Sequence, residues 1–261
     1  MEGNMKISII TVSYNAVKTI EQTIQSVVNQ TYDNIEYIII DGGSIDGTVD
    51  IIKKYEDNIA YWVSEPDKGI YDAMNKGINV ATGDVIGIIN SDDWYATSHI
   101  IAEVVQMCDI HDCDLVCGDM YYFDERGNPL NVNKCISKPM LSELKKRMNI
   151  AHPTVFIKKN IYTKYGCFNT KYKVAADYDL MLRLSFAGVV AKYSPSVVVN
   201  FRLGGASSSD SFYIINEVAK IRKNNHINVL LRYRYYMEDV FFTLLNMARK
   251  YAKFKKNCAI N

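Results

Sequence analysis

The chain has 261 residues, which is enough for one large α/β domain or two small ones. Apolar residues make up 48% of it and charged residues 23%, as in globular proteins with a sizeable core. The formal net charge of +1 gives no sign of nucleic-acid binding, and no stretch of about 18 uninterrupted apolar residues predicts a membrane-spanning helix.

The first half of the chain alternates the patterns of strands and helices. Runs rich in β-branched apolar residues predict four strands, at 6–12, 35–40, 59–63 and 85–89. Apolar residues at helical spacing predict three helices between them, at 17–30, 48–55 and 69–80. Strands that are apolar on both faces and separated by helices are typical of a parallel sheet. The expected fold class is therefore α/β, with a Rossmann-like, mostly parallel sheet and helices on both of its faces.

The second half is less regular. Strands are predicted at 115–123 and 130–134 on either side of a turn at 124–129, and further strands at 154–158 and 197–203. A helix is predicted at 177–187, and the pattern is helical from 208 onward. We expect one domain over 1–225 and a helical extension over 226–261.

The cysteines and the start of the chain bear on its compartment. The six cysteines form no CxxC pair, and none has the neighbouring ligands that a zinc site needs. The apolar run at 7–12 is too short for the core of a secretory signal peptide. Reduced, buried thiols in a cytoplasmic protein are the expectation.

Two adjacent carboxylates, Asp92 and Asp93, follow the fourth predicted strand in Asn90-Ser91-Asp92-Asp93. Ligands of parallel α/β sheets bind at the carboxyl ends of strands, and hard cations such as Mg²⁺ or Mn²⁺ take oxygen ligands there. The alternative is that the acids cap a following helix, but capping needs only one of them. The pair therefore favours a metal site beside a nucleotide diphosphate.

Two other polar segments should lie at the same edge. Asp41 ends the second strand, where a carboxylate can accept the imide N–H of uracil; the alternative is an ordinary turn residue before two glycines. Gly69 begins the third helix, whose free N–H groups favour anions. Each signal is weak by itself.

Taken together, these segments resemble the inverting glycosyltransferase family 2, which has the GT-A fold. The resemblance covers residues 5–95 closely and rests on the segments 8–15, 37–48, 75–84 and 90–93. It implies a donor half at 5–110 and an acceptor half at 111–225. One departure is that Asn90 stands where the family's acidic motif often begins with Asp.

The resemblance also implies roles for individual residues. Thr11, Tyr14 and Asn15 should bind the nucleotide with Asp41, which takes the uracil. Asp92 should bind the ribose or diphosphate, and Asp93 should bind Mn²⁺ or Mg²⁺.

The second-half resemblance is weaker. The segment 175–180 matches the family's catalytic-base motif with Ala176 in place of Glu, which leaves Asp177 as the base; the alternative is that Asp177 only caps its helix. The remaining candidates for contacts with the acceptor or diphosphate are Lys68, His152, Asp179 and Arg202. A lone His is more often structural, and Arg202 could equally be a surface charge.

The expected activity is transfer of a hexosyl or N-acetylhexosaminyl group from a UDP-sugar to the hydroxyl of a saccharide or lipid-linked saccharide. The family resemblance places this in bacterial polysaccharide or glycolipid assembly. Two alternatives stay open. A nucleotidyltransferase would be expected to have a Gly-rich basic loop after the first strand, and 13–16 has none. A non-catalytic nucleotide-sugar-binding protein would be expected to lack one of the key carboxylates, which are all present.

The C-terminal region is basic and amphipathic. Residues 220–256 contain ten basic and two acidic side chains, interleaved with aromatic and aliphatic ones. This pattern suits the headgroup zone of an anionic membrane, which would make the protein peripheral at the inner leaflet. The alternative is that the apolar stripe packs on the domain or on a second subunit of a homodimer.

Overall fold

The computed structural model describes residues 5–130, 141–204 and 211–258, with side chains of the last helix as far as 245. The chain divides into two compact units, Met1–Gly205 and Ala206–Asn261. The predicted boundary after 225 lies 20 residues later than this division, because the helix that ends at Asn224 packs with the C-terminal helix.

The first half forms the parallel part of an eight-stranded sheet. Its strands are β1 (Ile7–Ser13), β2 (Ile35–Asp41), β3 (Tyr61–Ser64) and β4 (Val85–Asn90), in the order β3-β2-β1-β4. The helices between them are α1 (Ile20–Val28), α2 (Thr48–Lys54) and α3 (Ile70–Val80). In the register, Ser13 lies beside Asp41 and Asp41 beside Ser64, so the carboxyl ends of these strands align at one edge.

The second half extends the same sheet with mixed strand directions. It contributes β5 (Trp94–Tyr95), β6 (Leu115–Phe123), β7 (Phe156–Lys158) and β8 (Ala191–Arg202), and the full order is β3-β2-β1-β4-β7-β6-β8-β5. Strand β7 is antiparallel to β4 and β6, and β5 is antiparallel to β8. The helices of this half are α4 (Ile100–His111), α5 (Lys159–Tyr165) and α6 (Ala176–Phe186).

The α/β prediction is confirmed, with differences in the second half. A short strand, β5, directly follows Asp92 and Asp93, and the next helix begins only at Ile100, so the alternative that these acids cap a helix is wrong. Strand β8 begins at Ala191, six residues earlier than predicted. The predicted strand at 130–134 lies almost wholly outside the described residues; Pro129 pairs with Phe123 after the turn.

The burial of the core explains why the strands of the first half could be predicted from the sequence. Every residue of β1 is buried, as expected for a strand covered on both faces. Gly77 lets α3 lie against this strand, because a Cβ at that position would collide with the side chain of Ile10. Small residues at such crossings let a helix approach the sheet closely, which brings the first turn of α3 to the carboxyl edge.

The second unit is a pair of helices, α7 (Ser211–Asn224) and α8 (Val229–Cys258). The Arg222 guanidinium is buried at their contact, 2.6 Å from Asp239 Oδ2 and over the ring of Tyr235. Its charge is therefore compensated where it is removed from water. Among the described residues, no helix combines the length and the apolar character that crossing a bilayer would require.

Candidate functional site at the carboxyl edge of the sheet

Asp41 is the centre of the hydrogen bonding at the ends of β1, β2 and β3. Its carboxylate is fully buried and accepts five hydrogen bonds. The donors are the hydroxyls of Ser13, Ser44 and Ser64 and the backbone N–H groups of Gly43 and Ser44, at 2.6–3.1 Å. With about four lone-pair sites on a carboxylate, this set leaves no acceptor for a ligand. The structure does not favour Asp41 as the direct uracil ligand; it holds three loops together.

Tyr14 and Asn15 lie in the loop after β1. The Tyr14 side chain is 66% exposed and its ring borders Gly42, so it is available to a planar base. Asn15 takes a left-handed conformation, with φ of 49°, and its Oδ1 accepts a hydrogen bond from the N–H of Ile45. Its own N–H donates to the Ser44 hydroxyl at 2.7 Å. Asn15 therefore fixes the position of Tyr14. The predicted contacts of Tyr14 and Asn15 with the nucleotide stay predictions.

Thr11 is a different case. It lies in the middle of β1, is fully buried, and its hydroxyl forms a 3.0 Å hydrogen bond with the hydroxyl of Tyr37. A side chain in that position does not reach the surface of a ligand site, so the structure does not support Thr11 as a nucleotide contact. The role of Thr11 therefore rests on the resemblance alone.

The acidic segment after β4 is arranged around Asp93. Asp93 is fully buried; its Oδ2 accepts from Asn90 Nδ2 at 3.1 Å and its Oδ1 from the backbone N–H of Arg202 at 3.1 Å. Burial raises the pKa of Asp93 well above its usual value, and the charge of Asp92 raises it further. Burial also raises the pKa of Asp92, whereas the nearby Arg202 lowers it. Asp92 is the partly exposed carboxylate of the two.

Arg202 lies beside this acidic segment because β8 pairs with β5. Its Nε donates to the carbonyl of Asp92 at 3.3 Å, and its guanidinium lies 5.1 Å from the ring centroid of Trp94. A further hydrogen bond of 2.6 Å joins its Nη2 to Gln22. The guanidinium is thus held in one orientation beside the acids, although 109 positions separate Arg202 from Asp93.

The oxygens of this segment fit a single divalent cation. Asn90 Oδ1 is buried and accepts no hydrogen bond among the described residues, and Asp92 presents a partly exposed carboxylate. A cation nearby would compensate the adjacent charges of Asp92 and Asp93, where burial and then the charge of Asp92 raise the pKa of Asp93. In the part of the chain that is described, no group of three or more His, Cys, Asp or Glu side chains could hold a metal by itself. Mg²⁺ and Mn²⁺ sites often have only one or two protein carboxylates, because substrate phosphates supply the other ligands.

Asp177 lies in the first turn of α6 and faces α3. Its Oδ1 accepts a hydrogen bond from the Tyr71 hydroxyl at 3.2 Å, and its carboxylate remains partly exposed. Asp179 is buried and pairs with Arg183 Nε at 2.9 Å, while the same guanidinium donates to the carbonyls of Tyr165 and Cys167. The structure therefore does not favour Asp179 as an acceptor contact. Its carboxylate is already paired with Arg183, which binds the backbone of a neighbouring loop.

His152 lies beside Asp177. Both ring nitrogens are buried and have no hydrogen-bond partner among the described residues, and the ring packs edge-on against Phe168 with centroids 5.5 Å apart. Burial lowers the pKa of His152, and the charge of Asp177 partly opposes this. Burial therefore favours the neutral imidazole, and an acceptor could reach its nitrogens only after local movement.

Two residues at this edge escaped the sequence analysis. Tyr71, in the first turn of α3, links that helix to Asp177. Asp67 is partly buried beside Gly42, whereas its neighbour Lys68 is exposed; the backbone N–H of Lys68 donates to Asp72 and its carbonyl accepts from Lys173 Nζ. Tyr71 and Asp67 flank Gly69, which the sequence analysis did single out, but no spacing rule distinguishes Asp67 from Asp72 beside it.

A mixed sheet of this order, with acidic segments where its parallel strands end, is the fold of the GT-A class. The chain belongs to glycosyl transferase family 2, whose family model matches residues 8–171. It is therefore an enzyme that transfers sugars.

Curated relatives carry the same description. A PGL/p-HBAD biosynthesis glycosyltransferase of Mycobacterium bovis is 28% identical over 211 residues, which cover 77% of this chain and 79% of that protein. An uncharacterized glycosyltransferase of Mycobacterium tuberculosis is 32% identical over 180 residues, or 68% of each chain. The similarity spans most of each relative.

Solved structures share the fold at low sequence identity. S. aureus TarS 1-349 in complex with UDP-GlcNAc superposes with a TM-score of 0.69 at 17% identity, over 90% of this chain and 72% of that one. The mannosyltransferase PcManGT from Pyrobaculum calidifontis, in complex with GDP-Man and Mn²⁺, gives 0.64 at 15% identity, over 98% and 81%. These likenesses concern the fold.

Proposed function

We propose that this enzyme transfers a sugar from a UDP-sugar to an acceptor hydroxyl with inversion at the anomeric carbon, assisted by Mn²⁺ or Mg²⁺. The observation that carries the proposal is the placement of Arg202 against Asp92 and Asp93 at the end of β4. Acid oxygens for a cation and a guanidinium for phosphate oxygens occur side by side there. A sugar nucleotide has a diphosphate that needs both.

The acidic segment would hold the cation through Asp93, with Asn90 Oδ1 as a further oxygen ligand and Asp92 beside the ribose or diphosphate. A bound cation would neutralise phosphate oxygens and the charge that develops on the departing nucleoside diphosphate. Arg202, held by Trp94 and Gln22, would orient the diphosphate by hydrogen bonds.

Asp177 would take the proton of the attacking hydroxyl. Inverting transfer needs one carboxylate on the acceptor side of the anomeric carbon, and Asp177 is a partly exposed one. Tyr71 joins it to the first turn of α3, which begins at the same sheet edge as the acidic segment. His152 lies beside it and would shape the acceptor side, whereas Lys68, at the start of α3, could reach phosphate oxygens.

The acceptor is proposed to be a saccharide, or a saccharide carried on a lipid, in polysaccharide or glycolipid assembly. One curated relative is named for PGL/p-HBAD biosynthesis, and TarS was solved with UDP-GlcNAc, which supports an N-acetylhexosaminyl or hexosyl donor. PcManGT was solved with GDP-Man, so a guanosine donor is the competing candidate.

We further propose that the enzyme acts in the cytoplasm as a peripheral membrane protein. Helix α8 has apolar side chains at 3–4-residue spacing that are exposed in the second unit. They are Leu230, Tyr233, Met237, Phe241 and Leu244. Basic residues surround this stripe in the sequence, which suits an anionic lipid surface. A homodimer that buries the stripe is the alternative.

The experiment that tests the activity is release of UDP, GDP and CDP from a panel of sugar nucleotides, with and without saccharide acceptors and with Mn²⁺ or EDTA. Acceptor-dependent, cation-dependent UDP release supports the proposal. Binding of UDP without any turnover would support the non-catalytic alternative, and release of diphosphate from a nucleoside triphosphate would support a nucleotidyltransferase.

A further inference from the structure

The nucleobase needs a hydrogen-bond acceptor that Asp41 does not supply. Uracil presents one donor, its imide N–H, between two carbonyl groups, and a carboxylate is its strongest partner. All the acceptor positions of Asp41 are occupied by the five hydrogen bonds that close the loops around it. Another acceptor at this edge would therefore have to take the imide N–H of the base.

The space above Gly42 contains such an acceptor. A Cβ placed on Gly42 would lie 2.5 Å from Oδ2 of Asp67 and 3.3 Å from the Tyr14 ring. The Asp67 carboxylate and the exposed Tyr14 ring therefore border the same small volume. Gly42 does not have a positive φ, so glycine is needed there for space and not for backbone conformation.

One oxygen of Asp67 is fixed and the other is available. Oδ1 accepts the backbone N–H of Gly69 at 2.7 Å, which locks the turn before α3. The next residue is held as well, because the N–H of Lys68 donates to Asp72 at 3.0 Å. Oδ2 accepts no hydrogen bond from the part of the chain that the structure describes, and it points to the volume above Gly42.

We propose that Asp67 is the residue that selects the nucleobase, with Oδ2 accepting the imide N–H of uracil while Tyr14 covers the ring. The inference rests on the proposed UDP-sugar donor and deepens it. A carboxylate in this position accepts from the N3–H of uracil, whereas cytosine presents an unprotonated N3 there, so that two acceptors would face each other unpaired. The residue therefore discriminates uridine from cytidine diphosphates.

The test is isothermal titration of the full chain with UDP and CDP in Mn²⁺. The wild type should prefer UDP. Asp67→Asn retains Oδ1 for Gly69 but presents an amide N–H₂ toward the base, so the UDP-to-CDP preference should fall about ten- to hundredfold. Gly42→Ala should lower it in the same direction, because its methyl group displaces Oδ2 without changing the chemistry of Asp67.

Glu65→Gln is the matched control, since Glu65 lies in the same loop but pairs with Lys76 at 2.7 Å. It should keep the wild-type preference, and thermal melting should show all three variants folded. An unchanged preference in Asp67→Asn, with UDP still bound, would overturn the role of Asp67 alone. A wild type that does not prefer UDP would instead overturn the proposed donor, and the inference with it.

Discussion

The Tyr71 hydroxyl donates a hydrogen bond to Asp177 Oδ1 at 3.2 Å, across 106 residues of sequence. This contact joins the first turn of α3, in the parallel half of the sheet, to the first turn of α6 in the second half. The proposed base thus takes its position from the half that is proposed to bind the nucleotide.

Asp177→Asn should keep the fold and donor binding but lower the rate of transfer about 10²-fold or more, the usual scale of general-base catalysis. Initial rates with saturating UDP-sugar measure this, and UDP titration checks binding. Tyr71→Phe should cause a smaller loss, because it removes only the supporting hydrogen bond. Asp179→Asn is the neighbouring control: it should reduce stability through the lost Arg183 pair more than it reduces turnover. Equal, small losses in Asp177→Asn and Asp179→Asn would show that neither is the base.

Asp93→Ala should abolish transfer and remove the gain in UDP affinity that Mn²⁺ provides, because it deletes a carboxylate charge beside the proposed cation. UDP titrations in Mn²⁺ and in EDTA measure the gain. Asp92→Asn in the same assay distinguishes the exposed acid from the buried one. Glu36→Gln is a suitable control, since Glu36 is a buried acid near the amino end of β2, away from the carboxyl edge. Near-wild-type turnover in Asp93→Ala would refute the metal assignment.

Glu36 should make the fold sensitive to acid. Burial alone would raise the pKa of Glu36, but hydrogen bonds from Lys6, Ser8 and Thr82 outweigh it and lower the pKa to about 2. A carboxyl whose pKa falls on folding stabilises the native state above its unfolded value, 4.5, and this contribution is lost as the pH falls toward 2. Urea unfolding between pH 5 and 2 should therefore show a smaller loss of stability for Glu36→Gln than for the wild type. Parallel pH profiles would contradict the shift.

The sequence predicted the parallel half well, since strands covered on both faces read as continuous apolar runs. Motif matching also brought out Asp92, Asp93 and Asp177 as candidates. It did not distinguish Asp41 as a buried acceptor of five hydrogen bonds from Asp41 as a ligand, because both roles place the same residue at a strand end. Arg202 and Trp94 meet only through the pairing of β8 with β5, a long-range contact that local periodicity does not contain.

Helix α8 gives the last prediction. Leu230 and Phe241 are 77% and 62% exposed on one stripe of a helix whose flanking sequence is strongly basic. Apolar side chains inserted among lipid headgroups, with each base near an anionic surface contributing about 1 kcal/mol, would hold the enzyme close to a lipid-linked acceptor. The full chain should therefore sediment with vesicles that contain anionic lipid, and less so as salt rises.

Leu230→Ser with Phe241→Ser should weaken this binding without unfolding the protein, since both side chains are exposed. Ile110→Ser is the matched control, because Ile110 is a 63% exposed apolar residue of α4 in the first unit. Sedimentation velocity without lipid tests the alternative that the stripe is buried in a homodimer. If the wild type is a dimer that the double variant converts to a monomer, and lipid charge has no effect on sedimentation with vesicles, the stripe is a subunit interface and the membrane proposal is wrong.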